Sequence, residues 1–226
     1  MERAADLLAA GELIIFYFNG TYAFLCDADQ MAPARKLFGL KKRPLTQTLS
    51  LIVNPIHLPE FVDPNHPAFS RFPLGRAMAL QKSIHALGLI LPADLGSAPQ
   101  DILQGDTILN IWTEYEEANR PLARLTQLIR KRGLRACKGA STNLSTEPTY
   151  NTIEQVLEQF DGYVPLILDN PWKSPPARRK STTILNLTSA TPTIVRLGNV
   201  PVPELQQQLD QVGFGKLAIA PNVKRL

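Results

Sequence analysis

Asn19-Gly20 stands between two apolar runs, Leu13 to Phe18 and Thr21 to Cys26, and no other stretch restricts the possible folds as much. A tight hairpin turn needs positive φ at its centre, which Asn and Gly tolerate. Each flanking run is too short for a helix of its own, so the two are predicted as strands of a hairpin.

The rest of the chain continues in short elements. Arg3 to Ala10 reads as a helix closed by Gly11, and a second helix, capped by Asp29, runs to Gly39. A strand is expected at Leu49 to Val53, and the proline-rich stretch Asn54 to Pro73 is expected to be largely loop. Helices at Ala77 to Leu87 and Pro121 to Lys131 alternate with strands at Leu89 to Leu91, Thr107 to Trp112 and Leu134 to Cys137. Thr152 and Gln155 have the spacing of a capping box before a short helix. Strands at Val164 to Leu168, Thr182 to Leu187 and Thr193 to Leu197 and a helix at Val202 to Val212 complete the pattern. Because some strands follow one another directly, the pattern predicts an α/β sheet of mixed strand direction flanked by helices. Neither a repeat nor a composition break divides the chain, so residues 1–226 are expected to form one domain.

Composition matters chiefly through charge. The net charge of +4 is modest, but the cations cluster: Arg35, Lys36, Lys41, Lys42 and Arg43; then Arg130, Lys131, Arg132, Arg135 and Lys138; then Arg178, Arg179 and Lys180. Such clusters suit phosphate-bearing partners, nucleotide or nucleic acid, although solvated helix ends carry the same residues. Two cysteines, Cys26 and Cys137, are too few for a disulfide framework or a four-ligand zinc site and read as buried thiols. His57 and His66 lack a partner at metal spacing, so no metal site is expected. No leader and no membrane-length apolar run is visible, which points to the cytoplasm.

Three stretches carry possible chemistry. In Leu40 to Gln47, Pro44 biases Arg43 away from helix, so Lys41, Lys42 and Arg43 fall where a helix stops, a good place to hold an anion. A solvated basic turn would contain the same residues. In Lys138 to Pro148, small and hydroxylated residues allow backbone amides close to a phosphate or ribose. Thr182-Thr183 and Arg196, on neighbouring predicted strands, add two hydroxyls and a cation.

Taken in order, Tyr22, Cys26-Asp27-Ala28, Lys41-Lys42-Arg43-Pro44, Ser141-Thr142-Asn143-Leu144-Ser145, Thr182 to Asn186 and Val195-Arg196-Leu197-Gly198 resemble the YrdC-like family, whose enzymes are threonylcarbamoyl-AMP synthases. The resemblance implies a twisted open α/β sheet with a basic concave face. It also implies condensation of L-threonine, bicarbonate and ATP into an adenylated threonylcarbamate, a step of tRNA modification. Carried over by position, it places Lys41 and Arg43 in catalysis, Gln47, Ser141, Asn143, Thr182 and Arg196 on the nucleotide, and magnesium across the phosphates. The amino-acid side departs from the family. Its Pro-Thr-Glu-Thr becomes Tyr17-Phe18-Asn19-Gly20, its histidine falls on Ile52, its carboxylate-binding arginine on Asn110, and a hydroxyl on Gly139. Two expectations therefore stand together: an adenylate-forming enzyme with a rebuilt amino-acid pocket, or a non-catalytic relative that binds nucleotide, double-stranded RNA or tRNA.

Overall fold

The hairpin predicted around Asn19-Gly20 forms one side of a large mixed sheet. In the computed structural model, which describes residues 1–18, 20–84, 86–112, 120–144, 149–169 and 181–225, β1 (Ile14–Phe18) and β2 (Thr21–Asp27) pair antiparallel, Tyr17 opposite Tyr22. The other strands are β3 (Ser50–Ile52), β4 (Leu87–Pro92), β5 (Leu103–Gln104), β6 (Thr107–Trp112), β7 (Cys137–Ser141), β8 (Ile167–Leu168), β9 (Thr183–Asn186), β10 (Thr193–Leu197) and β11 (Ala218–Arg225). Their order is β11-β10-β9-β4-β6-β3-β7-β2-β1-β8, with β5 on β6. Pairs β1/β8, β3/β6, β4/β9 and β10/β11 are parallel, and the remaining pairs are antiparallel.

Strand alternation divides the core between the two faces. On one face Leu13, Ile15, Tyr17, Phe24, Leu51 and Leu89 pack with α2 (Met31–Leu40), α4 (Leu74–Ser83), α6 (Ile153–Phe160) and α7 (Val202–Gln211). On the other, Ile14, Phe16, Ala23, Leu25 and Ile52 pack with α1 (Glu2–Ala9) and α5 (Arg120–Lys131), which presents Leu122, Leu125, Leu128 and Ile129 as its apolar stripe. The sheet thus has helices on both sides, as the sequence pattern predicts.

Several boundaries differ from expectation. Asp29 does not cap α2; Gln30 occupies that position without a side-chain bond, and Asp29 pairs with Arg135 instead. The stretch 54–73 is not all loop: it holds a 3-10 turn, Pro55–Glu60, and the short α3 (Ala68–Arg71). Helix α4 ends at Ser83, and Ala86 at φ 64° turns the chain so that Leu87 begins β4. Strand β7 runs through Lys138 to Ser141, where small residues suggested loop, while the preceding 134–136 is not strand. Strand β11 gives no clear signal, because Pro221 and sparse apolar residues suit only an edge position. The capping box is present, with Gln155 N–H donating to Thr152 Oγ1 at 3.4 Å and Thr152 N–H to Gln155 Oε1 at 3.3 Å. Residues 170–180, which hold the cluster Arg178, Arg179 and Lys180, lie outside the described residues. No helix among the described residues is long and apolar enough to cross a membrane.

The end of α2 sets the direction of the basic loop. Lys42 N–H donates to Gly39 C=O (3.0 Å) and Arg43 N–H to Phe38 C=O (2.9 Å), a Schellman closure with Lys42 in the left-handed region at φ 49°. Glycine normally fills this position, since a Cβ there is sterically disfavoured. Lys42 is exposed, so its side chain brings little packing in return. The Lys42→Gly variant is expected to be more stable by about 0.5–1 kcal/mol, read as a higher urea midpoint at unchanged slope; an unchanged or lower midpoint would contradict the strain.

Candidate anion-binding cavity

The helix end, the strand β7 and the β9–β10 pair converge. A cavity of about 210 Å³ lies on the α1/α5 face of the sheet, lined by Arg43, Thr48, Ser50, Ser141, Thr182 and Arg196 together with Leu49, Ile52, Leu109, Ile111 and neighbouring residues. None of the described lining residues is a carboxylate. Two guanidiniums and a ring of hydroxyls facing one space without a negative group make a site for an anion.

Each arginine is held from behind. Arg43 Nη2 donates to the Thr48 carbonyl at 2.5 Å, and its guanidinium lies 6.0 Å from the Phe38 ring centre. Its Nε is buried with no hydrogen-bond partner among the described residues. Arg196 Nε donates to the Thr182 carbonyl at 2.8 Å. Burial lowers the pKa of both, that of Arg196 to about 10, which records that desolvation is not repaid by a nearby carboxylate. Neither has an ion-pair partner among the described residues.

A bulge brings Arg196 to the cavity. Residues two apart on a strand share a face, so Arg196 would ordinarily lie with Ile194 in the core. The register of β10 shifts between these residues against both β9 and β11, so that Ile194 faces Leu185 while Arg196 faces Ile184. The extra residue reverses the alternation and places Arg196 on the cavity side. Gly198 closes the same corner: a Cβ there would come within 1.8 Å of the Ser181 carbonyl oxygen. Thr183, expected to share the cleft with Thr182, does not line it. Its hydroxyl accepts the Gly198 and Val200 amides, each at 3.0 Å.

Lys41 is not among the lining residues. It is buried, and its ammonium donates to the carbonyls of Ser141 and Asn143, tying the loop after β7 to the end of α2. The Asn143 side chain accepts from Ser141 Oγ at 2.5 Å and donates to the Leu144 carbonyl at 3.0 Å. Gln47 is exposed and does not line the cavity. Sequence reasoning passed over Thr48 and Ser50, although their spacing with Ile52 is the strand period that sends all three to one face.

The substituted family positions also find places. Ile52 and Gly139 line the cavity. A Cβ at Gly139 would lie 2.0 Å from the Phe24 carbonyl oxygen, so the local strand spacing has no room for a hydroxyl-bearing residue. Asn110 belongs to the opposite face, where it is fully buried and donates to Gln81 Oε1 at 2.9 Å. The cavity-facing residues of β6 are Leu109 and Ile111, so that wall is aliphatic.

Most of the second cation cluster is committed to internal ion pairs. Arg130 makes a bidentate pair with Glu60 at 2.8 and 2.8 Å, Arg132 pairs with Glu2 and Asp6, Arg135 with Asp29, and Lys138 with Asp101. The third cluster lies outside the described residues. Both thiols are buried, and burial pushes that of Cys26 up to about 12. No group of side chains able to hold a metal occurs among the described residues.

Burial, and then the charge of Arg43, lowers Lys41 from the ordinary lysine value of 10.5 to about 7. Between these values the unfolded chain holds a proton that the folded chain has released, so stability rises with pH across that window. The stability difference between wild type and Lys41→Met is therefore expected to shift in favour of wild type from pH 7 toward pH 10. Urea unfolding across this range measures it; a pH-independent difference would contradict the lowered value.

Comparison with known proteins gives the family and the fold. Residues 6–198 match the Sua5/YciO/YrdC family model, described as telomere recombination. A threonylcarbamoyl-AMP synthase of Pseudoalteromonas translucida (strain TAC 125) is 27% identical over 173 residues, 76% of this chain and 86% of that protein. P. abyssi Sua5 complexed with L-threonine superposes with a TM-score of 0.75 at 20% identity over 97% of this chain, which spans only 58% of that one. Full-length HypF in its phosphate- and nucleotide-bound form gives 0.67 at 16% identity over 88% of this chain and 29% of that one. E. coli YciO gives 0.64 at 17% identity over 90% and 91%. With the family match over most of its length and the Sua5 fold around this cavity, the chain belongs to the Sua5/YciO/YrdC family.

Proposed function

We propose that the cavity binds the phosphates of ATP and that the protein is an adenylate-forming enzyme of the threonylcarbamoyl-AMP synthase type. The observation that carries this reading is the pair of carboxylate-free guanidiniums, Arg43 and Arg196, on one hydroxyl-lined cavity. In the reaction, the threonine amine attacks the bicarbonate carbon, and the new C–N bond gives a carbamate as a C–O bond breaks and water leaves. A carbamate oxygen then attacks the α-phosphorus of ATP, and pyrophosphate leaves. Charge develops on phosphate oxygens, where fixed cations and hydroxyls act without reorganising. Arg43 and Arg196 are suited to the phosphates, Ser141 and Thr182 to neighbouring polar groups, and Lys41 to holding the 141–143 backbone in place. The described lining residues supply no carboxylate, so magnesium would enter with the nucleotide as part of the substrate. The name of the Pseudoalteromonas relative and the L-threonine complex of P. abyssi Sua5 support threonine as the acyl acceptor.

The aliphatic wall formed by Ile52, Leu109 and Ile111 favours a second reading, in which nucleotide or structured RNA is bound without turnover. Beside the cavity, Arg35, Lys42 and Arg43 flank a shallow hollow with Phe38, Pro44 and Leu45, a surface suited to a polyanion.

The two readings separate in one assay. Pyrophosphate release from ATP with bicarbonate is expected to require L-threonine, and Arg43→Ala is expected to weaken ATP binding at least about tenfold, the worth of a charge-assisted hydrogen bond. ATP binding without release, lost in Arg43→Ala, would establish the second reading. Absence of ATP binding would contradict the first reading and the nucleotide form of the second; absence of binding to both ATP and structured RNA would contradict both.

A further inference from the structure

Directly beneath the cavity, on the opposite face of the sheet, lies an ion pair that the proposed reaction does not use. Lys138 is fully buried, and its ammonium sits 2.6 Å from a carboxylate oxygen of Asp101, whose side chain is 5% exposed. Among the described residues, neither the ammonium nor either carboxylate oxygen has a hydrogen-bond partner besides this pairing. An isolated buried pair of this kind gains little net stability over two apolar side chains, because its attraction must offset the desolvation of both charges. Its advantage is geometric.

Strand β7 reads Cys137-Lys138-Gly139-Ala140-Ser141, and Lys138 is its one long side chain. Strands of small residues hold their register weakly, and a slip of one residue turns every side chain to the other face. Such a slip would turn Ser141 away from the cavity and displace the carbonyls that Lys41 grips. Asp101 stands in a 3-10 turn, Gln100–Ile102, and its backbone carbonyl accepts the Leu49 amide at 3.0 Å. Leu49 lies between Thr48 and Ser50 on the facing wall, and Ser50 pairs with Gly139. One residue therefore holds both walls: Asp101 grips Lys138 through its side chain and Leu49 through its backbone.

We infer that Asp101 and Lys138 are a positioning pair that fixes the register of Gly139–Ser141 against Thr48–Ser50 and so sets the spacing of the anion cavity. The first readout, nucleotide affinity, rests on the function proposed above; the second does not.

The test compares wild type with Asp101→Leu/Lys138→Met, which replaces the pair by apolar groups, and with Asp101→Glu, which keeps the pair and adds one methylene. The double variant is expected to keep its urea midpoint at or above that of wild type, and both variants to bind ATP about tenfold more weakly, as for supporting residues in other sites. Amide exchange in the same samples is expected to quicken at Leu49 and Gly139 while the β4–β9 ladder is unchanged. Wild-type affinity in folded variants, or unchanged exchange at Leu49 and Gly139, overturns the inference. If the double variant does not fold, Asp101→Glu decides alone. If wild type takes up no ATP, the proposed function fails and the exchange rates decide this inference separately.

Discussion

A guanidinium withdrawn from water without a carboxylate beside it is an unfavourable arrangement, and two of them meet in one cavity. Arg43 and Arg196 lie 153 positions apart in the chain, yet both heads line the same space, each held on its outer side by one backbone carbonyl. An incompletely compensated charge of this kind costs stability that the two apolar clusters must offset. The arrangement makes sense when an anion supplies the missing charge. Local construction brings the two heads together: the Schellman closure turns the chain at Lys42, the bulge reverses β10, and Gly198 approaches Ser181 closely.

The second cation cluster gives a useful contrast. Arg130, Arg132, Arg135 and Lys138 are neutralised by carboxylates drawn from distant parts of the chain. These pairs tie α5 to α1 and to the 3-10 turn at Pro55–Glu60, and the start of β7 to the segment after β2. Exposed members of the set contribute little to stability individually. They place a carboxylate beside each of these cations, in contrast to Arg43 and Arg196, which have no ion-pair partner among the described residues. Cation density in the sequence is therefore a poor guide to anion binding; what distinguishes a site is the absence of compensating carboxylates.

The mixed sheet, the hairpin at Asn19-Gly20 and the capping box at Thr152 were legible because each rests on local chemistry: alternation, turn geometry and side-chain to backbone bonds. Arg43 and Ser141 were legible as candidates for the same reason, one following a helix end and the other in a small, hydroxylated stretch. Which face a strand residue takes was less accessible. Arg196 reaches the cavity only through a bulge that nothing in Thr193 to Leu197 announces, and Thr183 turns to serve backbone amides. Asn110 was aligned to a ligand-binding position but lies on the buried face, beside Gln81. Residues 138–141 of strand β7 read as loop because Gly139, Ala140 and Ser141 have weak strand preference, while Cys137 reads as strand; the restraint inferred for this stretch comes from Asp101, across the sheet and far away in sequence.

The central claim is that Arg43 and Arg196 act on one anion. Calorimetric titration of ATP into wild type, Arg43→Met, Arg196→Met and the double variant tests it most directly. Two cations serving a single polyphosphate should give losses that do not add, with a coupling energy of about 0.5 kcal/mol or more. Strictly additive losses, or single variants that bind as wild type does, would contradict the account.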